Sequence, residues 1–90
     1  MIDTIKEILK ETLSNINIFI DKPIKIDRSR HPEHGHFSTN IPLLLTKVLK
    51  RPPMAIAQDI VRSISPHPDT ILKVEIKPPG FINFFLSPKA

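Results

Sequence analysis

The 90-residue sequence contains no cysteine, tryptophan or tyrosine, and only two of its residues are glycine. The lack of cysteine excludes disulfides and thiolate metal sites, and it leaves the redox compartment open. No apolar run approaches the roughly 20 residues that a membrane-spanning helix needs. Met1 leads directly into an amphipathic pattern with Asp3, Glu7 and Glu11, so no signal peptide is visible. We therefore expect a soluble cytoplasmic protein.

Charge and proline content narrow the choice of architecture and partner. Lysine and arginine number 13 against 9 aspartate and glutamate, a net charge of +4 that permits an anionic partner without requiring one. With 40% hydrophobic residues, the chain is expected to fold as a single domain over residues 1–90, near the lower size limit for one core. Ten prolines predict short elements with stiff junctions.

The first part of the chain has the spacing of an amphipathic helix followed by a short strand. Apolar residues recur at helical intervals over residues 2–16 and predict about four turns with one buried face. Asp21-Lys22-Pro23 then breaks the chain. After this break, Ile24 and Ile26 alternate with charged residues, which predicts a short strand.

Two further helices are predicted in the middle of the chain. Residues 37–50 carry an apolar face, and Pro42 must lie in or near the first turn, because deeper inside it would remove a hydrogen bond. Ser38 or Thr39 is then the expected N-cap. The next helix starts with Pro53 at an early position, and its buried stripe consists of Ile56, Ala57, Ile60, Val61 and Ile64.

The C-terminal part predicts a β-hairpin. Leu72, Val74 and Ile76 alternate with charged residues as one strand, and a turn follows in which Gly80 is free to take a positive φ. The aromatic run after the turn predicts a last strand, whose side chains alternate between two faces. One face is an ordinary core face, and the other combines aromatic rings with an amide. The core face has Ile82, Phe84 and Leu86, and the other face has Phe81, Asn83 and Phe85.

Together these elements predict an α+β fold in the order α-β-α-α-β-β. The last two strands pair antiparallel and the early strand joins one edge, which makes a small antiparallel sheet of three to four strands. The helices are expected to pack on one face of this sheet. That face is built from Leu72, Val74, Ile76, Ile82, Phe84 and Leu86.

A polar loop before the second helix concentrates imidazole side chains. His31, His34 and His36 could ligate a metal, but no cysteine or suitably placed carboxylate completes the set, and their spacing matches no standard zinc pattern. We therefore predict a solvated loop and no metal. The run also resembles the end of the His-Ile-Gly-His nucleotide-binding signature, a match that we interpret as coincidence because Glu33 stands where the signature needs histidine.

Four motifs occur in an order that matches a known family. They are His34-Gly35-His36-Phe37-Ser38-Thr39-Asn40, then Thr46-Lys47-Val48-Leu49, then Pro53 followed by Ile56-Ala57, and last Pro79-Gly80-Phe81-Ile82-Asn83-Phe84. With these motifs the chain resembles, over essentially its whole length, the N-terminal additional domain of arginyl-tRNA synthetase. The Pro-Gly-Phe-Ile-Asn element is the most specific part of the resemblance.

The resemblance implies a tRNA-binding domain that packs beside a class I catalytic domain located downstream. In the family, the aromatic residue and the asparagine of the Gly-Phe-Ile-Asn element contact bases of the D-loop at the tRNA elbow, and they match Phe81 and Asn83. The full enzyme uses ATP, with Mg²⁺, to charge its tRNA with arginine. Its nucleotide-binding signatures lie downstream, so these 90 residues are expected to hold no catalytic residue, no cofactor and no aminoacylation activity.

The sequence departs from the family pattern, Gly-Asp-aromatic-Ala-Thr-Asn, in the loop before the second helix. His36 stands where the family usually has aspartate, a natural helix N-cap, and Pro42 stands where it usually has a small helix former. Without the aspartate the helix can begin later, which brings Pro42 into its first turn. We therefore expect the helix to start after Phe37.

The chemistry of the last strand suits single-stranded RNA. An exposed Phe81 ring offers a stacking surface, and the Asn83 amide is donor and acceptor at once, so it can read a base edge. Gly80 forms the turn that leads into both residues. The expected phosphate contacts are Lys73, Lys77, Arg28 and Arg30.

The residue pattern leaves alternatives open. Phe81 and Phe85 could instead be buried under a helix or a neighbouring domain; the resemblance favours RNA contact by Phe81 and Asn83 and leaves Phe85 undecided. Each lysine could belong to a solvated face. The preferred interpretation is the tRNA-elbow-binding domain of an arginine–tRNA ligase. The alternatives are a free-standing RNA-binding module and a protein-interaction domain of the same fold.

Overall fold

The computed structural model describes residues 2–21, 23–29, 35–64 and 70–87. In these ranges the chain forms α1 (Ile2–Asn15), β1 (Asp27–Arg28), β2 (Phe37–Thr39), α2 (Ile41–Leu49), α3 (Pro53–Ser63), β3 (Ile71–Lys77) and β4 (Phe81–Leu86). The strands make one antiparallel sheet in the order β1-β2-β4-β3. The predicted α+β class, with helices packed against a small antiparallel sheet, is confirmed.

The predictions for α1 and α3 are also confirmed. α1 buries one face, on which Ile5 and Leu9 are completely inaccessible to solvent. α3 begins at Pro53, where the missing N–H of proline costs no hydrogen bond, and it contributes Ile56 and Ile60 to the same core as α1. No helix in the described ranges is long and apolar enough to cross a membrane.

α2 starts after Phe37, as predicted, but its N-cap differs from the prediction. Helical structure begins at Ile41 with Asn40 as N-cap, so the predicted N-cap at Ser38 or Thr39 is wrong. Residues Phe37–Thr39 instead form β2, which pairs with Ile82, Asn83 and Phe84 of β4. The pairing partners lie more than 40 residues away in sequence, so the local pattern carried no sign of this strand. Pro42 does lie in the first turn of α2, as expected.

The early strand also lies elsewhere than predicted. Ile24 and Ile26 are buried in the core, but they precede the strand, which is limited to Asp27 and Arg28. Ile24 and Ile26 are therefore buried although they lie outside the β-strand. β1 joins the sheet through β2 and so forms its edge.

The β3–β4 hairpin is confirmed, with one correction in β3. The register shifts between Ile71 and Lys73, where β3 has an irregularity. Because side chains alternate between faces, the shift turns Leu72 out to 63% exposure and leaves Ile71 buried at 6%. The prediction that Leu72 faces the core is therefore wrong, whereas Val74 and Ile76 pack against the core as expected.

The turn before β4 needs its glycine for a reason other than the predicted one. Gly80 does not have a positive φ; among the described glycines only Gly35 does, at 106°. A Cβ built on Gly80 would instead lie 2.7 Å from Cβ of Pro53 and 3.2 Å from Leu43. Gly80 thus allows the hairpin turn to approach the N-terminal part of α3 and one side chain of α2.

One face of the sheet, here called the inner face, is packed against the helices. Ile82 and Phe84 of β4 are fully buried on this face, and their β2 partners Thr39 and Phe37 are 0% and 7% exposed. Directly opposed residues share a face of an antiparallel sheet, so all four side chains contribute to the same layer. The core therefore lies between the inner face and the helices.

Candidate nucleic-acid interface

The opposite side of the sheet, here called the outer face, carries the residues that were singled out for RNA contact. β4 places every second side chain on it, and the strand register adds the partners of those side chains from β2 and β3. The outer face consists of Phe81, Asn83 and Phe85 of β4, Lys73, Glu75 and Lys77 of β3, Ser38 of β2 and Asp27 of β1.

Phe81 stands at the turn end of the outer face. Its ring is partly exposed, and its cross-strand partner is the exposed Lys77. The close approach at Gly80 fixes the backbone immediately before it. A partly exposed aromatic residue beside a lysine can provide a stacking surface next to a possible phosphate contact.

Asn83 lies in the middle of the outer face and is buried to 8% exposure between Ser38 of β2 and Glu75 of β3. No other described residue makes a hydrogen bond with its side-chain amide. No fully buried side-chain nitrogen or oxygen in the described ranges lacks a partner, so the amide must keep contact with solvent. The result is a side chain that is held in place while its donor and acceptor atoms stay available.

The Phe85 ring, which the sequence left undecided, is only 9% exposed. The ammonium nitrogen of Lys73 lies 4.4 Å from the ring centroid and also 3.0 Å from a carboxylate oxygen of Glu75. The cation therefore occupies a face of the ring that a base would need for stacking. This arrangement favours an internal packing role for Phe85 and leaves Phe81 as the ring that is open to a ligand.

The outer face has no excess of positive charge. Its two lysines, Lys73 and Lys77, are balanced by the carboxylates Glu75 and Asp27. Asp27, Ser38, Asn83 and Glu75 follow one another across the four strands, so the Asn83 amide has an acidic residue at each end of its row. Sequence reasoning missed this row, because Asp27 and Glu75 are far apart along the chain.

The predicted arginine contacts lie outside this arrangement. Arg28 is in register with Phe37 and Phe84 of the inner face, and its guanidinium carbon lies 5.8 Å from the centroid of the Phe37 ring. Arg28 would therefore reach a ligand only around the β1 edge of the sheet. Arg30, His31 and His34 lie outside the described residues. No group of three potential metal ligands is found among the described residues.

His36 has a role that the sequence did not indicate. Its Nδ1 atom accepts a hydrogen bond of 3.0 Å from the backbone N–H of Leu86 in β4. The residue before it, Gly35, has φ 106°, and a Cβ built there would lie 3.1 Å from Cβ of Asn83. The Gly35–His36 segment therefore packs directly on the strand that carries the candidate RNA contacts.

Comparison with known proteins bears on the meaning of this surface. The family model for the arginyl tRNA synthetase N terminal domain matches residues 3–86. The chain belongs to this family. The similar curated proteins are much longer than this chain.

The chain is 39% identical over 88 residues to an arginine–tRNA ligase of Chlorobium phaeobacteroides, a match that covers 98% of this chain and 16% of that protein. It is 48% identical over 71 residues to an arginine–tRNA ligase of Acidithiobacillus ferrooxidans, where the match covers 79% of this chain and 12% of that protein. The chain thus corresponds to a small fraction of the curated relatives.

Solved structures of two arginyl-tRNA synthetases share the fold. The Thermus thermophilus enzyme matches with a TM-score of 0.75 at 24% identity, covering 93% of this chain and 13% of that one. The Plasmodium falciparum enzyme matches with a TM-score of 0.77 at 19% identity, covering 94% of this chain and 16% of that one. The arrangement of helices and sheet is therefore shared with proteins of very different sequence.

The start of α2 changes the interpretation of residue 36. An aspartate there was expected to cap α2, but α2 begins at Ile41 and residue 36 precedes β2, so position 36 is not a helix N-cap. The group at this position faces the N–H of Leu86 instead. The His36 ring supplies a side-chain acceptor for this N–H.

Proposed function

We propose that this chain is the tRNA-recognition domain of an arginine–tRNA ligase and that its outer face contacts the D-loop at the tRNA elbow. The contact positions the tRNA for ATP-dependent arginylation by a catalytic domain elsewhere in the longer protein. In this proposal Phe81 stacks on an unpaired base and Asn83 forms hydrogen bonds with a base edge. A cytoplasmic location follows from the proposal and stays a prediction.

The observation that carries the proposal is the state of Asn83. At 8% exposure the Asn83 side chain is held in the sheet, yet its amide engages no other described residue and keeps contact with solvent, so its donor and acceptor atoms are available to a ligand. Its neighbour on the same face, Phe81, is less deeply buried than Phe85. Together they offer a base-edge contact beside a stacking surface, which is the combination that unpaired loop bases require.

The balanced charge of the outer face favours recognition of bases over general attraction to phosphate. Lys77 stands beside Phe81 and is the better placed lysine, because Lys73 is already engaged with Glu75 and Phe85. Arg28 and Arg30 remain predicted phosphate contacts, with Arg28 acting from the sheet edge. Phosphate contacts of this kind would orient the tRNA without specifying its sequence.

The ATP and Mg²⁺ of the ligase reaction would be held outside this chain. Its two glycines pack against its own side chains, Gly35 on Asn83 and Gly80 on Pro53, so neither forms a loop that could cradle phosphates. The described residues also hold no group of three metal-ligating side chains. In this proposal the chain contributes to arginylation by binding and orienting the tRNA.

The test is the affinity of the chain for tRNA and for an isolated D-loop hairpin, measured at one fixed salt concentration. Phe81→Ala should weaken binding by about 1–3 kcal/mol, or roughly five- to 150-fold, the range for loss of one base stack. Asn83→Ala should weaken it by roughly three- to tenfold, the range for loss of a hydrogen bond. Each variant should lose affinity for tRNA and for the hairpin by about the same factor.

Matched controls exist on the same chain. Phe19→Ala removes a ring that is 85% exposed and lies outside the sheet, and Asn15→Ala removes an exposed amide at the end of α1. Neither should change the affinity. If Phe81→Ala and Asn83→Ala bind as tightly as the wild type, or if only lysine substitutions abolish binding, the stacking proposal is wrong. In the second case the chain would bind tRNA through phosphate contacts alone.

Whether the domain acts within a ligase or alone is a separate question. A reading frame that continues past Ala90 into a nucleotide-binding domain supports the ligase, and in that longer protein Phe81→Ala should raise the KM for tRNA in arginylation. A reading frame that stops at Ala90, together with intact D-loop binding, would instead indicate a free-standing RNA-binding module.

A further inference from the structure

His36 connects three segments of the sheet through its own atoms. Its backbone N–H donates to the carbonyl of Phe84 at 2.8 Å, and its carbonyl accepts from the backbone N–H of Ser29 at 3.0 Å. Its imidazole Nδ1 accepts from the backbone N–H of Leu86 at 3.0 Å. One residue thus bonds β4 at two points and the end of β1 at a third.

The imidazole replaces a strand carbonyl. Pairing of β2 with β4 ends at Phe37 and Phe84, so the N–H of Leu86, two residues further along β4, has no β2 residue opposite it. The His36 ring reaches this N–H and extends the connection by one more hydrogen bond. Because Nδ1 must present a lone pair, the proton of the neutral ring lies on Nε2.

The same segment touches the candidate RNA contact. Gly35 lies so close to Asn83 that a Cβ on it would approach Cβ of Asn83 to 3.1 Å and the Phe84 carbonyl to 3.4 Å. A displacement of residues 35 and 36 therefore removes the support on one side of the Asn83 side chain. The opposite side of β4 is held independently by β3, with Glu75 opposite Asn83.

We propose that His36 is a positioning residue: its Nδ1 acceptor holds the Gly35–His36 segment on β4 and thereby fixes the orientation of the Asn83 amide. The consequence for RNA binding rests on the function proposed above. The effect on Leu86 and Asn83 does not, because both can be measured on the free protein.

The test uses a pair of substitutions with opposite chemistry at one position. In His36→Leu, a methyl group replaces Nδ1, so the bulk remains and the acceptor is lost. In His36→Asn, an amide oxygen occupies the corresponding place and keeps the acceptor. We expect the Leu86 amide to exchange with solvent roughly five- to tenfold faster in His36→Leu, the factor for one lost hydrogen bond, and to recover in His36→Asn.

The neighbouring amide of Ser87 is an internal reference. Its N–H donates to the carbonyl of Thr70 at 2.9 Å, on the β3 side of β4, away from His36. A general loss of stability would accelerate both amides, whereas loss of the imidazole acceptor should accelerate Leu86 alone. The side-chain amide resonances of Asn83 should shift in His36→Leu and return in His36→Asn, and the wild-type ¹⁵N spectrum should show His36 protonated on Nε2.

Three results would overturn the proposal: equal acceleration of Leu86 and Ser87, unchanged Asn83 resonances in His36→Leu, or a wild-type ring that is protonated on Nδ1. tRNA affinity is the last measurement, and it should fall in His36→Leu and recover in His36→Asn. If the wild type does not bind tRNA, the proposed function fails, and the Leu86 and Asn83 signals still decide whether His36 positions this strand.

Discussion

The two faces of β4 each contain phenylalanine, yet they are covered in different ways. On the inner face, Ile82 and Phe84 are fully buried in the apolar core with side chains of the helices. On the outer face, Phe85 is almost as inaccessible at 9%, but its ring lies beneath the ammonium group of Lys73 and is not part of the core cluster. Asn83 is equally buried and has a polar tip.

The difference shows that the fraction of a side chain that is buried does not by itself identify a core residue. Phe84 and Phe85 are adjacent and both nearly inaccessible, but the atoms in contact with them differ in chemistry. A ring among apolar side chains contributes its full transfer free energy, whereas a ring under a solvated lysine contributes less. The inner face therefore holds the fold together, and the outer face can serve binding.

The largest effect is expected for Phe84→Ala, which we compare with Phe85→Ala. Phe84→Ala should lower the free energy of unfolding by about 3–5 kcal/mol, because it leaves a cavity in the core. Phe85→Ala should lower it by about 1–2 kcal/mol, since the lost contacts are partly with a solvated ammonium group. Urea denaturation followed by circular dichroism measures both. Equal losses of unfolding free energy would mean that both faces of β4 contribute equally to stability.

A second comparison uses the two glycines: Gly80, in the hairpin turn, lies against the helices, whereas Gly35 lies against Asn83 and Phe84 of β4. Gly80→Ala should lower the free energy of unfolding by about 1–3 kcal/mol, because its new methyl group collides with Pro53 of α3. Gly35→Ala should cost about 1–2 kcal/mol through its positive φ. Only the second variant should also weaken tRNA binding, since it displaces Asn83. A comparable loss of affinity in folded Gly80→Ala would contradict the separation of roles.

The smallest expected effect concerns the lysine above Phe85. Lys73→Met keeps most of the stem and removes the ammonium group, which should cost about 0.5 kcal/mol because the group is near the surface. The ion pair with Glu75 adds little, as the two side chains are 54% and 41% exposed. Lys25→Met, at an exposed position before β1, is the matched control and should be neutral. A loss above about 2 kcal/mol would instead show that the ammonium group contributes far more than a near-surface cation–π contact.

Elements with a strong local pattern were predictable from the sequence. The period of apolar residues indicated α1 and α3, and the alternation around a proline-glycine turn indicated the hairpin. Pro42 required a nearby helix start for a local steric reason, and the helix does begin one residue before it. These signals depend on contacts within a few residues, so a linear pattern contains them.

The tertiary structure decided the features that depend on distant partners. Residues Phe37–Thr39 form a strand because β4 offers a free edge, although their own sequence fits the start of a helix. Gly80 is required by α3, and the His36 ring is oriented by the N–H of Leu86, 50 residues away. The candidate site also combines features set by the local sequence with features set by distant partners.

The sequence by itself determined which residues stand on each face of β4, because alternation along a strand is a local property. Only the tertiary structure decided that Phe81 stays partly open, that Lys73 covers Phe85, and that the amide of Asn83 is held without a partner among the described residues. Exposure and hydrogen bonding depend on what packs across the strands, and that is set by the register of β2, β3 and β4.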